Sequence, residues 1–229
     1  LNNIALVSGV KSNYKIAVQY FLEALNKSEA IGYRHNIAHC LINIGTIYAH
    51  LYNYEEALHR YEMVLQNYAD ILDDNTKVII YNNVGNIYYT TEKYDIALQF
   101  FGKALILARK KNYQEMTAHS LAQMSRAYIA IDNDEQALFF ASEAYDLSQI
   151  LEPSSGRQIN LINLGEIFNY QGNYEDALTL TKEGIAVSKE LKDHASEIRG
   201  YQLMANIYKN LKLDCKFVSS PEDFDGITK

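Results

Sequence analysis

The sequence predicts an all-α chain, a solenoid of stacked helical hairpins, and three observations carry that prediction. Alanines stand forty residues apart at Ala17, Ala57, Ala97, Ala137 and Ala177, each followed by Val or Leu. A second column of small residues (Ala5, Gly45, Gly85, Ser125, Gly165 and Ala205) runs twelve residues ahead of the alanines. Three residues after it stand Tyr48, Tyr88, Tyr128, Phe168 and Tyr208. Only two prolines, Pro153 and Pro221, interrupt the 229 residues. A fixed period of this length marks one supersecondary unit stacked on copies of itself.

Each period reads as two helices, A then B. Before the break, Leu41, Ile44, Gly45 and Tyr48 recur at helical spacing, and after it Ala57, Leu58, Tyr61 and Val64 do the same. The break is a short polar connector such as Tyr52-Asn53-Tyr54, Glu92-Lys93-Tyr94 or Gly172-Asn173-Tyr174. Asn53 and Asn173 precede Glu56 and Asp176 by three residues, so the amide is expected to accept from the next helix while the acid complements its positive end. The Gly and Ala columns remove bulk where helices approach closest, and a large aromatic is expected to fill the gap beside them.

In chain order, residues 1–11 read as the truncated end of a first helix A, paired with helix B at about 14–30. Complete hairpins follow at about 34–71, 74–111, 114–151 and 154–191, and a sixth helix A at about 194–211 closes the array. The repeat array thus covers 1–211. Residues 212–229 drop the pattern, gather Ser, Pro, Asp and Gly, and read as an irregular tail. Phe217, Val218 and Phe224 would allow that tail to dock back on the array.

The stretches "LINIGTIYAHLYNYEEAL", "YNNVGNIYYTTEKYDIAL" and "LINLGEIFNYQGNYEDAL" resemble tetratricopeptide repeats, with the small-residue, aromatic and alanine signature in order. The period departs from the usual 34 residues and matches the longer-helix variety of the family. The fourth unit departs further, with Ser125 for Gly and Asp134 for Tyr. The resemblance implies a right-handed superhelix of antiparallel hairpins whose A helices line the concave face. It also implies a non-enzymatic role in binding protein partners.

On that face the A-helix stripe reads His39, Asn43, Thr46 and His50, then Ile79, Asn83, Asn86 and Thr90. The next units give His119, Gln123, Arg126 and Ala130, then Ile159, Asn163, Glu166 and Tyr170. One column is almost uniformly amide: Asn3, Asn43, Asn83, Gln123 and Asn163. A carboxamide is both donor and acceptor, so it can pair with a peptide backbone without selecting charge. With A helices ~10 Å apart and an extended peptide rising ~3.3 Å per residue, such a ladder would grip about every third residue. Tyr89, Arg126, Glu166 and Tyr170 would add selectivity, with Arg199 and Lys209 nearer the C-terminal end. The bland alternative is a column of default repeat residues that hydrates an inner wall.

Composition narrows the function classes. The chain is 48% hydrophobic and 21% charged, an ordinary folded composition. A formal charge of −7 and a pI near 5.4 argue against a nucleic-acid partner, which needs a dense Lys/Arg face. No apolar run approaches a membrane span. Cys40 and Cys215 have neither metal-site nor disulfide-framework spacing, so a cytoplasmic location with reduced thiols is expected. His35 and His39 have i, i+4 spacing without the glutamate of a zinc-protease helix, and no catalytic triad or phosphate loop is present. No cofactor, metal site or catalytic residue is expected. The expected partner is a protein or peptide held in the groove, with a homodimer through the terminal repeats left open. The chain opens at Leu1 without a methionine, as an excised piece would. The alternative is therefore a ligand-sensing regulatory module of a larger signalling protein, attached to a kinase, cyclase or transcription regulator.

Overall fold

The computed structural model of the chain describes residues 14–149 and 155–211. The helix expected at 1–11 with Asn3, and the tail with Phe217, Val218 and Phe224, lie outside the described residues. Among the described residues the chain forms ten α-helices and no strand. These are α1 (Tyr14–Ala30), α2 (Arg34–His50), α3 (Tyr54–Asn67), α4 (Asp74–Thr90), α5 (Tyr94–Lys110), α6 (Gln114–Ala130), α7 (Asp134–Gln149), α8 (Ser155–Tyr170), α9 (Tyr174–Glu190) and α10 (His194–Asn210). The chain divides into two compact units at Tyr113/Gln114.

In the first unit α2 packs on α3 and α4 on α5 as hairpins, while α1 packs on α2 and the two A helices α2 and α4 also touch. The second unit repeats the scheme with α6 on α7, α8 on α9, α10 against both α8 and α9, and A helix α6 on A helix α8. The alanine column marks the core, with Ala17, Ala57, Ala97, Ala137 and Ala177 all fully buried.

The connectors are closed by backbone, not by side chains. Tyr52 adopts a left-handed φ of 60°, its N–H donates to Ala49 O at 3.1 Å, and Asn53 N–H donates to Tyr48 O at 2.9 Å. This is the Schellman arrangement, which satisfies carbonyls that a helix end would otherwise leave open. It recurs at Glu92, Asn112, Asp132, Gly172 and Lys192. Each residue after the left-handed one is then the first cap of the next helix, so two helices join across a single turn.

That economy corrects the expected caps. Asn53 and Asn173 stand at the N-cap positions, but neither side chain accepts from the helix it precedes. Their ψ angles of 72° and 73° fall short of the 87° at Asp193 and 159° at Asp73, where the carboxylates do accept backbone N–H groups. Asn173 instead donates from Nδ2 to the Asp176 carboxylate at 2.6 Å. The third connector does cap, with Asn133 Oδ1 accepting from Gln136 N–H at 3.2 Å.

The first complete hairpin ends early. Helix α3 stops at Asn67, and Arg34 clamps the turn that follows. Its guanidinium donates to both Asp70 oxygens at 2.7 and 2.8 Å and to Asn67 O at 3.0 Å, and lies 5.7 Å from the centre of the Tyr68 ring. The fork geometry matches a carboxylate and one of the open helix-end carbonyls together.

Close approach explains the small-residue column. A Cβ on Gly85 would stand 2.5 Å from Cε1 of Phe101, and one on Gly45 would stand 3.3 Å from Cε1 of Tyr61. The large aromatic against each of these two glycines comes from the B helix, sixteen residues later. Tyr88 and Tyr128 lie to one side, stacked on Phe100 and Phe140 at 5.6 and 5.4 Å. Gly85→Ala is expected to lower stability by about 1–3 kcal/mol through overpacking. Gly102→Ala, where a Cβ meets nothing within 4 Å, is expected to raise it by roughly 0.5–1 kcal/mol through helix propensity. Urea denaturation of the two variants checks the opposite signs.

Candidate functional site

The amide column is half-buried at Asn43 and Asn83 and buried at Gln123 and Asn163, and among the described residues the B-helix residue twenty-two positions earlier supplies a hydrogen-bond partner at Asn83 alone. For Asn43 that residue is Phe21, which offers no polar atom. Asn43 is half-buried and donates from Nδ2 to His39 O of its own helix at 2.8 Å. For Asn83 it is Tyr61, and Asn83 Nδ2 donates to the Tyr61 hydroxyl at 3.1 Å. For Asn163 it is Ala141. Asn163 is fully buried and donates from Nδ2 to Ala122 O of α6 at 2.7 Å.

The second unit therefore holds its amides inside the packing. Asn163 is fully buried and Gln123 is 2% exposed, so neither offers a contact surface in this conformation. Gln123 Nε2 lies 3.4 Å from His119 Nε2, and the carbonyl oxygens of Gln123 and Asn163 are buried without partners. Arg126 is half-buried beside them. Glu166 does not stand alone on the stripe either, since Arg199 of α10 donates to it at 2.7 Å. Tyr170 is 74% exposed.

The first unit keeps its stripe open. A cleft of about 200 Å³ lies between α2 and α4, lined by Thr46, His50, Tyr54, Tyr61, Asn83 and Asn86 among others. His50 is held by stacking on Tyr14, with ring centres 5.9 Å apart and planes at 13°. Tyr89 stands half-buried one turn beyond Asn86, edge-on to Tyr94 at 5.4 Å. Burial pushes the Tyr61 phenol upward, partly offset by its hydrogen bonds with Thr46 and Asn83, so the hydroxyl keeps its proton and stays a donor.

Sequence reasoning did not single out Tyr61 or Tyr54 for this site. The available signal was the hydroxyl at position 61 in a register that elsewhere carries Phe21 and Phe101. Among the described residues no three His, Cys, Asp or Glu side chains gather as metal ligands would, and no helix is long and apolar enough to cross a membrane.

The repeat signature now has an independent counterpart. The tetratricopeptide repeat family model matches residues 1–70 and 77–150. The chain belongs to the tetratricopeptide repeat family. Its relatives within and around that family are distant. Protein KINESIN LIGHT CHAIN-RELATED 1 of Arabidopsis thaliana is 25% identical over 183 residues, which cover 76% of this chain and 30% of the plant protein. The apo form of the quorum sensor NprR from B. thuringiensis superposes with a TM-score of 0.79 at 23% identity, covering 99% of this chain and 63% of that one. The Rap conjugation gene regulator of the plasmid pLS20, in complex with the Phr* peptide, gives 0.74 at 18% identity, covering 97% of this chain and 59% of the regulator. The all-α tetratricopeptide-like solenoid is thus established. The chain spans less than two thirds of each of these three proteins.

Within the second unit, His119 marks where polar groups have been taken out of water. Part of the side chain reaches the surface, but Nδ1 is buried without a partner. Burial first, and the Arg126 charge second, push its pKa down to about 4. The unfolded chain therefore binds more protons than the folded one between pH 4 and the ordinary His value of about 6.5. Stability from this group is fully present above that range and is lost as the pH falls through it. Denaturation midpoints are expected to fall with a loss of about 2 kcal/mol between pH 7 and pH 5. Measuring His119→Gln alongside checks the assignment, since that variant should lose most of the slope.

Proposed function

We propose that this chain is a non-enzymatic protein-interaction scaffold that binds a peptide segment of a partner along the groove faced by its A helices. The observation that carries this reading is the open polar cleft of the first unit, where Asn83 and Asn86 stand beside Thr46 and His50 on adjacent A helices. Carboxamides and hydroxyls pair with backbone N–H and C=O groups without regard to side-chain charge. The likeness to a regulator held in complex with a peptide supports the same reading.

Asn43, Asn83, Asn86 and Tyr89 are the contacts proposed in the first unit, and Arg126, Glu166 and Tyr170 in the second. Gln123 and Asn163 hold the wall of the second unit in place from within. A second reading is favoured by the likeness to the quorum sensor NprR: the same groove would serve as the ligand-sensing part of a larger regulator. The two readings share the site and differ in what is attached to it.

Panning a phage-displayed random decapeptide library on the wild-type chain, followed by calorimetry with the captured peptides, tests the proposal. Asn43→Ala combined with Asn83→Ala is expected to weaken binding at least tenfold, roughly the loss of two neutral hydrogen bonds. Unchanged affinity in the folded double variant, or no captured peptide, would remove the groove reading.

A further inference from the structure

Tyr61 does more than fill the crossing against Gly45, because its hydroxyl is the middle of a chain of hydrogen bonds with one possible direction. Thr46 Oγ1 lies 3.0 Å from Ile42 O and 2.9 Å from the Tyr61 hydroxyl. Ile42 O can only accept, so the single Thr46 proton goes to it. Thr46 must then accept from Tyr61, whose own proton is spent in that bond. Tyr61 can only accept from Asn83, which therefore turns its NH2 inward at 3.1 Å. The amide orientation follows from counting protons along the relay. What remains toward the cleft is Asn83 Oδ1, an acceptor with no partner among the described residues.

The surroundings define what that acceptor takes. The cleft holds about 200 Å³, with rings of His50, Tyr54 and Tyr61 among its walls and no Lys, Arg, Asp or Glu in its lining. An apolar cavity of ~150 Å³ accommodates a benzene ring, so one ring-sized group fits here. We propose that this cleft is an anchor pocket for a single aromatic side chain carrying an O–H or N–H donor, and that Tyr61 is the positioning residue that sets this donor preference through Asn83. The proposal rests on the cleft being part of the peptide-binding face and names the kind of residue the partner brings to it.

The test uses 4-methylphenol, which carries the donor, against 4-methylanisole, which is its methyl ether and lacks it. Both are titrated into the full chain and followed through the side-chain amide signal of Asn83 and the backbone signals of Thr46, Tyr61 and Asn86. The phenol is expected to bind roughly fivefold tighter, the worth of one hydrogen bond between neutral partners. In Tyr61→Phe the ratio is expected to fall to about one, because the released amide can offer either its carbonyl or its NH2. The register already carries Phe21 and Phe101, so this substitution suits the packing. Thr46→Val gives an independent check at the other end of the relay. Without its acceptor the Tyr61 hydroxyl turns to donate to Asn83, the amide flips, and the preference for the phenol is lost.

Equal binding of the two probes to the wild type, shifts outside the cleft, or a ratio unchanged in both variants would overturn the proposal. A chain that captures library peptides while treating the two probes alike keeps the scaffold reading and overturns the anchor pocket. Donor discrimination in a chain that captures no peptide does the reverse.

Discussion

At each crossing of an A helix with its B helix, one side chain is pressed against a residue chosen for having little or none. Gly45 faces Tyr61, Gly85 faces Phe101 and Gly165 faces Thr181, with distances too short for a Cβ to enter freely. Ser125 stands in the same register as the small Ala141. Bulk on one helix is thus matched by its absence on the other, as a close-packed interior requires. The flanking alanines at 17, 57, 97, 137 and 177 are fully buried for the same reason. Helices this close can be joined by a single turn, and the backbone-closed connectors supply it.

The amides of the polar face find different partners from repeat to repeat. Asn43 bonds its own helix, Asn83 the Tyr61 hydroxyl of the preceding B helix, and Asn163 the carbonyl of a neighbouring helix. At Tyr61 core packing and surface chemistry are therefore set by one side chain. The sunken amides carry a cost. Asn163 bonds through its nitrogen but leaves its carbonyl buried and unpaired, as Gln123 does. Each such group forfeits roughly 1–3 kcal/mol of hydration. The second unit bears this cost among residues that also depress His119, whereas the first unit keeps its amides half-buried over an open cleft.

The sequence makes the repeat legible because burial at a helix crossing imposes a period, and periodic columns survive without any knowledge of depth. The alanine and glycine columns, the hairpin spacing and the connectors all follow from it. Depth is another matter. Asn43, Asn83, Gln123 and Asn163 occupy equivalent places in the pattern, yet the first two are half-buried and the last two are buried. Reading one helix face alone cannot separate them. The residue types at Asn53 and Asn173 favour side-chain capping, yet neither side chain caps, whereas Asn133 and Asp193 do cap from the same backbone-closed turn.

The cleft of the first unit has no Lys, Arg, Asp or Glu in its lining, despite the chain's formal charge of −7. Charged groups far apart in the sequence answer each other: Arg34 pairs with Asp70 and Lys111 with Asp74 within their hairpins, and Arg199 with Glu166 across two repeats. All three pairs reach solvent, where screening weakens such bridges. Paired in this way, they present weak fields to an approaching ligand. The cleft of the first unit is lined by neutral donors, acceptors and rings, whose orientation is fixed by hydrogen bonds that salt does not screen. Discrimination there falls to where protons sit along the Asn83–Tyr61–Thr46–Ile42 relay, and so to a single hydroxyl at a position where the neighbouring repeats carry phenylalanine.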